Sequence, residues 1–318
     1  MTVRSLRLGL IGLGNMGQNH LRILSLLKGV EIAFIHDADP ARQAKLASMY
    51  GVPGIDDVDG AMAGLDAAVI ATPTSTHAEW VERTARHVRN IFVEKPLAGT
   101  LADAEHLAAF AGERGLRIQV GFIERFNPAV QVLKRVLGKS ERVISVDFTR
   151  TNKLSARITD VDVITDLMIH DIDLALFING PAKAVSAHGV CKDDMIDFAS
   201  VQLTHENGCF SRIQASRVTE KKMRTIQATC RDMFVDCDLL RKEVQISRQS
   251  ELRVSEGEPY VISALEESVE VRPQEALLSE LQAFVAVIRG ELRQFPDHVA
   301  GLDAMRICQR IRDLVHSA

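Results

Sequence analysis

The stretch Leu6-Arg7-Leu8-Gly9-Leu10-Ile11-Gly12-Leu13-Gly14-Asn15-Met16-Gly17 decides the fold. Residues 6–11 are rich in aliphatic side chains and read as a buried first strand. Gly12 to Gly17 is a GxGxxG, and an amphipathic helix to about residue 27 follows it. A lone GxGxxG is a weak signal, but here a strand precedes it and a helix opens from it. Asp37 then ends a second strand, 30–36, at about the 20-residue distance that a dinucleotide fingerprint requires. Gly12 permits a tight turn, Gly14 lets backbone approach a pyrophosphate, and Gly17 lets helix and strand pack closely. The helix N-terminus offers unpaired N–H groups and the positive end of its dipole to phosphate. The plain alternatives are a glycine-rich turn without ligand, and an Asp37 that only caps the turn before Asp39-Pro40.

Working outward, strands and helices alternate. A helix over 40–50, a strand over 67–71, a helix over 77–88, a strand ending at Glu94, a helix over 101–113 and a strand over 116–120 describe a doubly wound parallel sheet. Ligands of such sheets bind outside the carboxyl ends of the strands. The segment Thr72-Pro73-Thr74-Ser75-Thr76-His77 stands at one such end, although Thr76 could equally cap the next helix. Ile91-Phe92-Val93-Glu94-Lys95-Pro96 stands at another, and its proline stops the strand there. A Lys at a rigid strand end shifts its pKa readily when desolvated, which suits proton transfer. An exposed Lys before a turn proline is the bland alternative. The expected cofactor contacts are Gly12, Gly14, Asn15, Met16, Gly17, Asp37, Thr72, Pro73, Thr74, His77, Glu94 and Lys95. A carboxylate at Asp37 accepts from both ribose hydroxyls of NAD and repels a 2′-phosphate; Arg42, beyond Pro40, reads as surface.

After residue 121 the pattern changes, so the expected domains are 1–121 and 122–318. A helix over 129–137 leads into strands over 142–150, 184–190, 198–204, 209–216, 225–230, 233–238, 243–247 and 269–272. Asn207-Gly208 marks a hairpin turn, because that pair accepts positive φ. Helices over 274–289 and 298–316 close an α+β domain with a large, mostly antiparallel sheet. One face of that sheet is available for a homodimer or homotetramer. Within this domain, residues 165–177 read as one helix stopped near Gly180-Pro181. Asp166, His170 and Asp173 fall at i, i+4 and i+3 spacings and share a face. A His oriented by a carboxylate removes a hydroxyl proton near neutral pH. The alternatives are a solvated polar face, or a metal held by Asp166 and His170 with Asp171 or Asp173. No second His or Cys lies nearby in sequence, so no metal is expected.

The 318 residues suffice for two domains. Charged residues make up 25% and hydrophobic ones 46%, and the net charge is −4, so neither a nucleic-acid footprint nor a membrane span is present. Five cysteines without a CxxC pair fit reduced thiols in a cytoplasm.

The ordered set Gly12-Leu13-Gly14-Asn15-Met16-Gly17, Thr72-Pro73-Thr74, Glu94-Lys95-Pro96 and Asp166-Leu167-Met168-Ile169-His170 resembles the Gfo/Idh/MocA oxidoreductase family over nearly the whole chain. The resemblance implies an N-terminal Rossmann domain, a C-terminal sheet domain, and oxidation of a sugar, polyol or sugar-nucleotide hydroxyl with NAD. It implies that Lys95 contacts the nicotinamide ribose and substrate, that His170 is the general base, and that Asp166 orients substrate or His170. A non-catalytic NAD or sugar sensor is the competing class; it has no need of both Lys95 and His170. The runs 121–129 and 157–161 resemble the UDP-N-acetylglucosamine 3-dehydrogenase branch. Two positions depart from pattern: Phe122, where that branch carries His, and Met168, where the family carries a small residue. Met168 could narrow the sugar pocket or pack beneath it. A UDP diphosphate needs cations. Arg150, Lys153 and Arg157 cluster in sequence, with Arg125 next to Asn127 at the domain junction. Arg125, Asn127, Arg157 and Asp173 are the expected substrate contacts. Inositol or a free sugar is the alternative substrate.

Overall fold

A computed structural model describes residues 4–153, 161–193, 195–253 and 261–317. Its contacts group into two compact units. The first joins Met1–Ile123 to Ala276–Arg306, and the second joins Glu124–Glu275 to Ile307–Ala318. This differs from an uninterrupted boundary at 121, because the chain returns to the first unit near its end.

The first unit is built on a five-stranded parallel sheet in the order β2-β1-β3-β4-β5. The strands are β1 (Leu6–Ile11), β2 (Val30–His36), β3 (Ala67–Ile70), β4 (Asn90–Glu94) and β5 (Arg117–Gly121). Helices α1 (Asn15–Leu24), α2 (Pro40–Tyr50), the single turn α3 (Val58–Ala61), α4 (His77–Thr84) and α5 (Leu101–Arg114) connect them. Strand order reverses beside β1, so the loop after β1 opens at the switch point where doubly wound sheets bind ligands. The central strands are buried on both faces, which explains their continuous apolar runs. Helix α8 (Ala276–Ile288) closes the core: Leu277, Leu281 and Phe284 pack with Leu8, Leu10, Val69 and Phe92. Gln119 Nε2 donates to Glu280 O at 3.3 Å, and Arg117 Nη1 donates to Val287 O at 3.2 Å, which tie α8 to β5.

The second unit carries an eight-stranded sheet in the order β13-β12-β11-β10-β6-β9-β8-β7. Its strands are β6 (Val143–Thr151), β7 (Ala182–Lys192), β8 (Met195–His205), β9 (Phe210–Ser216), β10 (Met223–Cys230), β11 (Met233–Asp238), β12 (Glu243–Arg253) and β13 (Val261–Val269). All neighbours are antiparallel except β6 and β9. Helices α6 (Pro128–Leu137) and α7 (Ile169–Asn179) pack on this sheet. Gly208 turns the β8–β9 hairpin with φ +84°. Helix α9 (His298–His316) begins among the residues of the first unit and ends among those of the second.

Two elements differ from expectation. The last strand lies at 261–269, not 269–272; residues 265–268 at this sheet edge are exposed, so no buried face imposed a readable alternation. The expected single helix over 165–177 is a π-helical turn, Ile164–Met168, followed by α7.

Candidate active site

The dinucleotide cradle belongs to the first unit. Gly12 has φ +90°, and a Cβ there would lie 2.6 Å from the Ala71 and Thr72 backbone. A Cβ on Gly17 would come within 1.9 Å of Gly12 O, so the α1–β1 approach admits no side chain. A Cβ on Gly14 would meet no protein atom within 4 Å, so that glycine borders space a pyrophosphate can fill. Helix α1 has no acidic residue in its first turn and no side-chain cap, which leaves its N–H groups to an anion. Asn15 and Met16 open this helix. Asp37, directly after β2, accepts from Leu13 N at 2.6 Å and Asp39 N at 2.8 Å, which places its carboxylate beside the glycine loop. Arg42 is more than a surface charge: Nη1 reaches Asp37 Oδ1 at 3.1 Å, and Nη2 reaches Asp39 Oδ2 at 3.3 Å. Asp39, not Asp37, caps α2. These residues fit a dinucleotide.

The 72–77 loop is braced from within. Thr76 does not cap α4; its hydroxyl bonds Thr72 Oγ1 at 2.9 Å and Pro73 O at 2.8 Å. Pro73 is exposed and Thr74 half-buried. His77 is buried, with Nδ1 2.8 Å from Pro96 O and Nε2 3.0 Å from Thr72 O. Both its ring nitrogens thus face loop carbonyls. Burial pushes the His77 pKa below its ordinary value, partly offset by the two carbonyls and Glu94. Glu94 is buried against His20, and Lys95, half-buried, follows at the strand end.

In the second unit, Asp166 lies in the π turn and His170 in the first turn of α7; both are half-buried. π turns recur at functional sites, and the sequence pattern alone did not reveal this one. Asp162 Oδ1 accepts from Thr165 N at 2.7 Å, and Arg312 reaches Thr165 Oγ1 at 2.7 Å, anchoring the turn's start. The expected shared face divides, because Asp173 is buried and bound two-handed by Arg125 at 2.8 and 2.6 Å. The Arg125 guanidinium also lies 4.7 Å from the Phe177 ring centre. Asn127 is buried too: it caps α6 by accepting from Ala129 N at 3.1 Å and donates to Glu124 and Leu239 O.

Arg150 is not a phosphate contact. It is fully buried, with Nε and Nη2 donating to Asp171 at 2.7 and 2.8 Å and Nη1 donating to Glu124 at 2.8 Å. Burial disfavours its charge, but Asp171 and Glu124 more than compensate and raise its pKa. Burial likewise opposes ionisation of Glu124, yet Arg150 and Arg224 hold its carboxyl below the usual range. Lys153 is exposed and pairs with Glu220 at 3.0 Å. Arg157 and Asp160 lie outside the described residues. Met168 is fully buried. Phe122 is buried as well.

Sequence reading missed Arg217. Almost buried, it follows β9, donates to Val161 O at 2.6 Å, and stands 3.8 Å from both Asp166 Oδ2 and Asp197 Oδ1. An arginine just past a strand end carries no periodic signal. Among the described residues, no group of three or more His, Cys, Asp or Glu side chains is arranged to hold a metal ion.

Comparison with known proteins agrees with this geometry. Residues 6–122 match the oxidoreductase family with an NAD-binding Rossmann fold, and residues 143–233 match the GFO/IDH/MocA C-terminal domain. UDP-N-acetylglucosamine 3-dehydrogenase from Acidithiobacillus ferrooxidans is 30% identical over 98% of both chains. A solved structure of that enzyme superposes with TM-score 0.88 over 99% of both chains. Inositol 2-dehydrogenase from Rhizobium meliloti is 28% identical over 95% of this chain and 94% of its own. Levoglucosan dehydrogenase in complex with NADH, 21% identical, shares the fold with TM-score 0.84 over 99% of this chain and 98% of its own. With its glycine cradle, Asp37 and full-length relatives that are sugar and polyol dehydrogenases, the chain belongs to the GFO/IDH/MocA oxidoreductase family and is an NAD-dependent dehydrogenase.

Proposed function

We propose that this dehydrogenase oxidises a ring hydroxyl of a UDP-N-acetylhexosamine, at the 3-position, to the keto sugar. One observation carries the reading: likeness to the Acidithiobacillus ferrooxidans UDP-N-acetylglucosamine 3-dehydrogenase over 98% of both chains. NAD supplies the hydride acceptor. His170 takes the hydroxyl proton as the carbinol C–H leaves with its electron pair, and the C–O bond becomes C=O. Lys95 would contact the nicotinamide ribose and the reacting oxygen, and its charge would stabilise the alkoxide character that builds there. Asp166 orients the substrate or His170, and Arg217 beside it holds that carboxylate in place. The enzyme works in the cytoplasm as a homo-oligomer that associates through the eight-stranded sheet; light scattering during size exclusion tests the latter.

A second reading, oxidation of inositol or a free sugar, draws support from the internal ion pairs of half-buried Arg125 with Asp173 and of buried Arg150 with Asp171. Neither guanidinium is then at hand for a diphosphate. The test is NADH formation at 340 nm with UDP-N-acetylglucosamine, UDP-N-acetylgalactosamine, myo-inositol and glucose. Turnover on a UDP sugar, with competition by free UDP, supports the first reading. Turnover on inositol or glucose alone replaces it with the second.

A further inference from the structure

The residues on either side of Lys95, Glu94 and Pro96, each face a buried histidine that the proposed chemistry does not use. On one side, His20 of α1 is completely buried, and its Nε2 lies 2.7 Å from Glu94 Oε1. Its ring edge rests on Phe92, with centroids 5.0 Å apart. His20 Nδ1 is buried and has no hydrogen-bond partner among the described residues. Because a carboxylate oxygen only accepts, Nε2 carries a proton and donates it to Glu94. The other oxygen, Glu94 Oε2, accepts from Lys95 N at 3.3 Å. It is backed by Gly121, where a Cβ would lie only 2.9 Å away. Glu94 is thereby boxed by α1, by β5 and by the backbone of Lys95. On the other side, His77 spans Pro96 O and Thr72 O.

The two histidines therefore join Lys95 to two different segments of the cofactor cradle. His20 sits on the helix whose N-terminus receives the pyrophosphate, one turn inward from Gly17. His77 stands between the 72–76 loop and the residue that follows Lys95; with its pKa lowered by burial, the neutral ring donates to one of the two carbonyls, Pro96 O or Thr72 O, and packs against the other. Through Glu94, which accepts from Lys95 N at 3.3 Å, and through the Pro96 carbonyl, each segment bears on the backbone that carries Lys95. We propose that His20 and His77 are positioning residues that couple seating of NAD to the placement of the Lys95 amine. The proposal rests on the reading that Lys95 works at the reacting centre.

The test needs a signal from Lys95 itself. Reductive methylation with ¹³C-formaldehyde keeps the lysine charge and gives each lysine a methyl resonance; the Lys95 signal is identified by its loss in Lys95→Arg. NAD should shift that signal in the wild-type chain. His20→Leu and His77→Leu should bind NAD within about threefold of wild type, yet lose more than half of the NAD-induced shift. Their kcat should fall roughly 10- to 100-fold, as a displaced catalytic group predicts, with the KM for NAD little changed. His20→Gln, whose amide still donates to Glu94, should recover the shift. His77→Gln, whose amide still donates to one of these carbonyls but fills less of the space the ring occupies, should recover it in part. Should a Leu variant not fold, the Gln variants carry the test. A full Lys95 response in His77→Leu or His77→Gln, or equal loss in His20→Leu and His20→Gln, overturns the proposal. Normal turnover in Lys95→Ala would instead remove the reading beneath it, while the resonance shifts still report whether the coupling exists.

Discussion

Arg42 Nη1 lies 3.1 Å from Asp37 Oδ1, so the carboxylate proposed to meet the adenosine ribose carries a cation at its shoulder. Asp37 repels a 2′-phosphate, while Arg42 offsets part of that repulsion. The enzyme should bind NADH more tightly than NADPH. Asp37→Ser should narrow the gap, and Arg42→Ala should widen it by several-fold. The one tryptophan, Trp80, stacks obliquely on His36 beside Asp37, which makes its fluorescence a fitting readout for both titrations. Equal affinities in the wild-type enzyme would contradict the assignment.

Lys95→Ala and His170→Ala should each keep cofactor binding and lose roughly 10²- to 10⁴-fold in kcat, the range of a positioned acid–base group. Single-turnover NADH formation measures it. A variant within threefold of wild-type kcat loses its assigned role.

Asp171→Ala should unfold more easily by roughly 3–5 kcal/mol, because it strands the buried Arg150 charge. Urea melts followed by circular dichroism measure this. A stability change under about 1 kcal/mol, combined with a raised substrate KM, would return Arg150 to the list of diphosphate contacts.

Burial lowers the pKa of His77, His205 and His298 below the ordinary value of 6.5. Each folded ring resists a proton that the unfolded chain accepts. The unfolded state then binds more protons below about pH 6.5, so stability should rise with pH through that window and fall on acidification. Melting temperatures at constant ionic strength between pH 5 and 8 test it. His205 faces Gly180 O at 2.7 Å and Ser211 Oγ at 2.8 Å, so His205→Gln should flatten part of the slope. A melting temperature that climbs as pH drops from 7 to 5 would refute the sign.

The cradle was legible because local rules govern it. Glycines at fixed spacing, buried aliphatic strands and Asp37 at the end of β2 each follow from short-range sterics and burial. The site of the second unit was less legible. Asp166, His170 and Asp173 look equivalent in sequence, and only packing against Arg125 removes Asp173 from solvent. Arg125 and Arg150 read as available cations for the same reason: their carboxylate partners Asp173 and Asp171 lie 48 and 21 residues away. The π turn at Ile164–Met168 left no periodic trace, since one extra residue per turn alters spacing over too short a run to detect.

Helix α8 has a consequence for how the chain is made. Leu277, Leu281 and Phe284 complete the core around β1, β3 and β4, so the first unit to leave the ribosome remains unfinished until residues near the other end appear. At about 5–20 residues per second, the apolar flank that awaits α8 stays uncovered for roughly 8–33 s while the chain from residue 124 to the end of α8 is synthesised. A nascent chain in that interval presents Leu8, Leu10 and Phe92 to whatever meets it first. Holdase chaperones should therefore crosslink to residues 1–123 during translation and release them once Ala276–Ile288 has emerged.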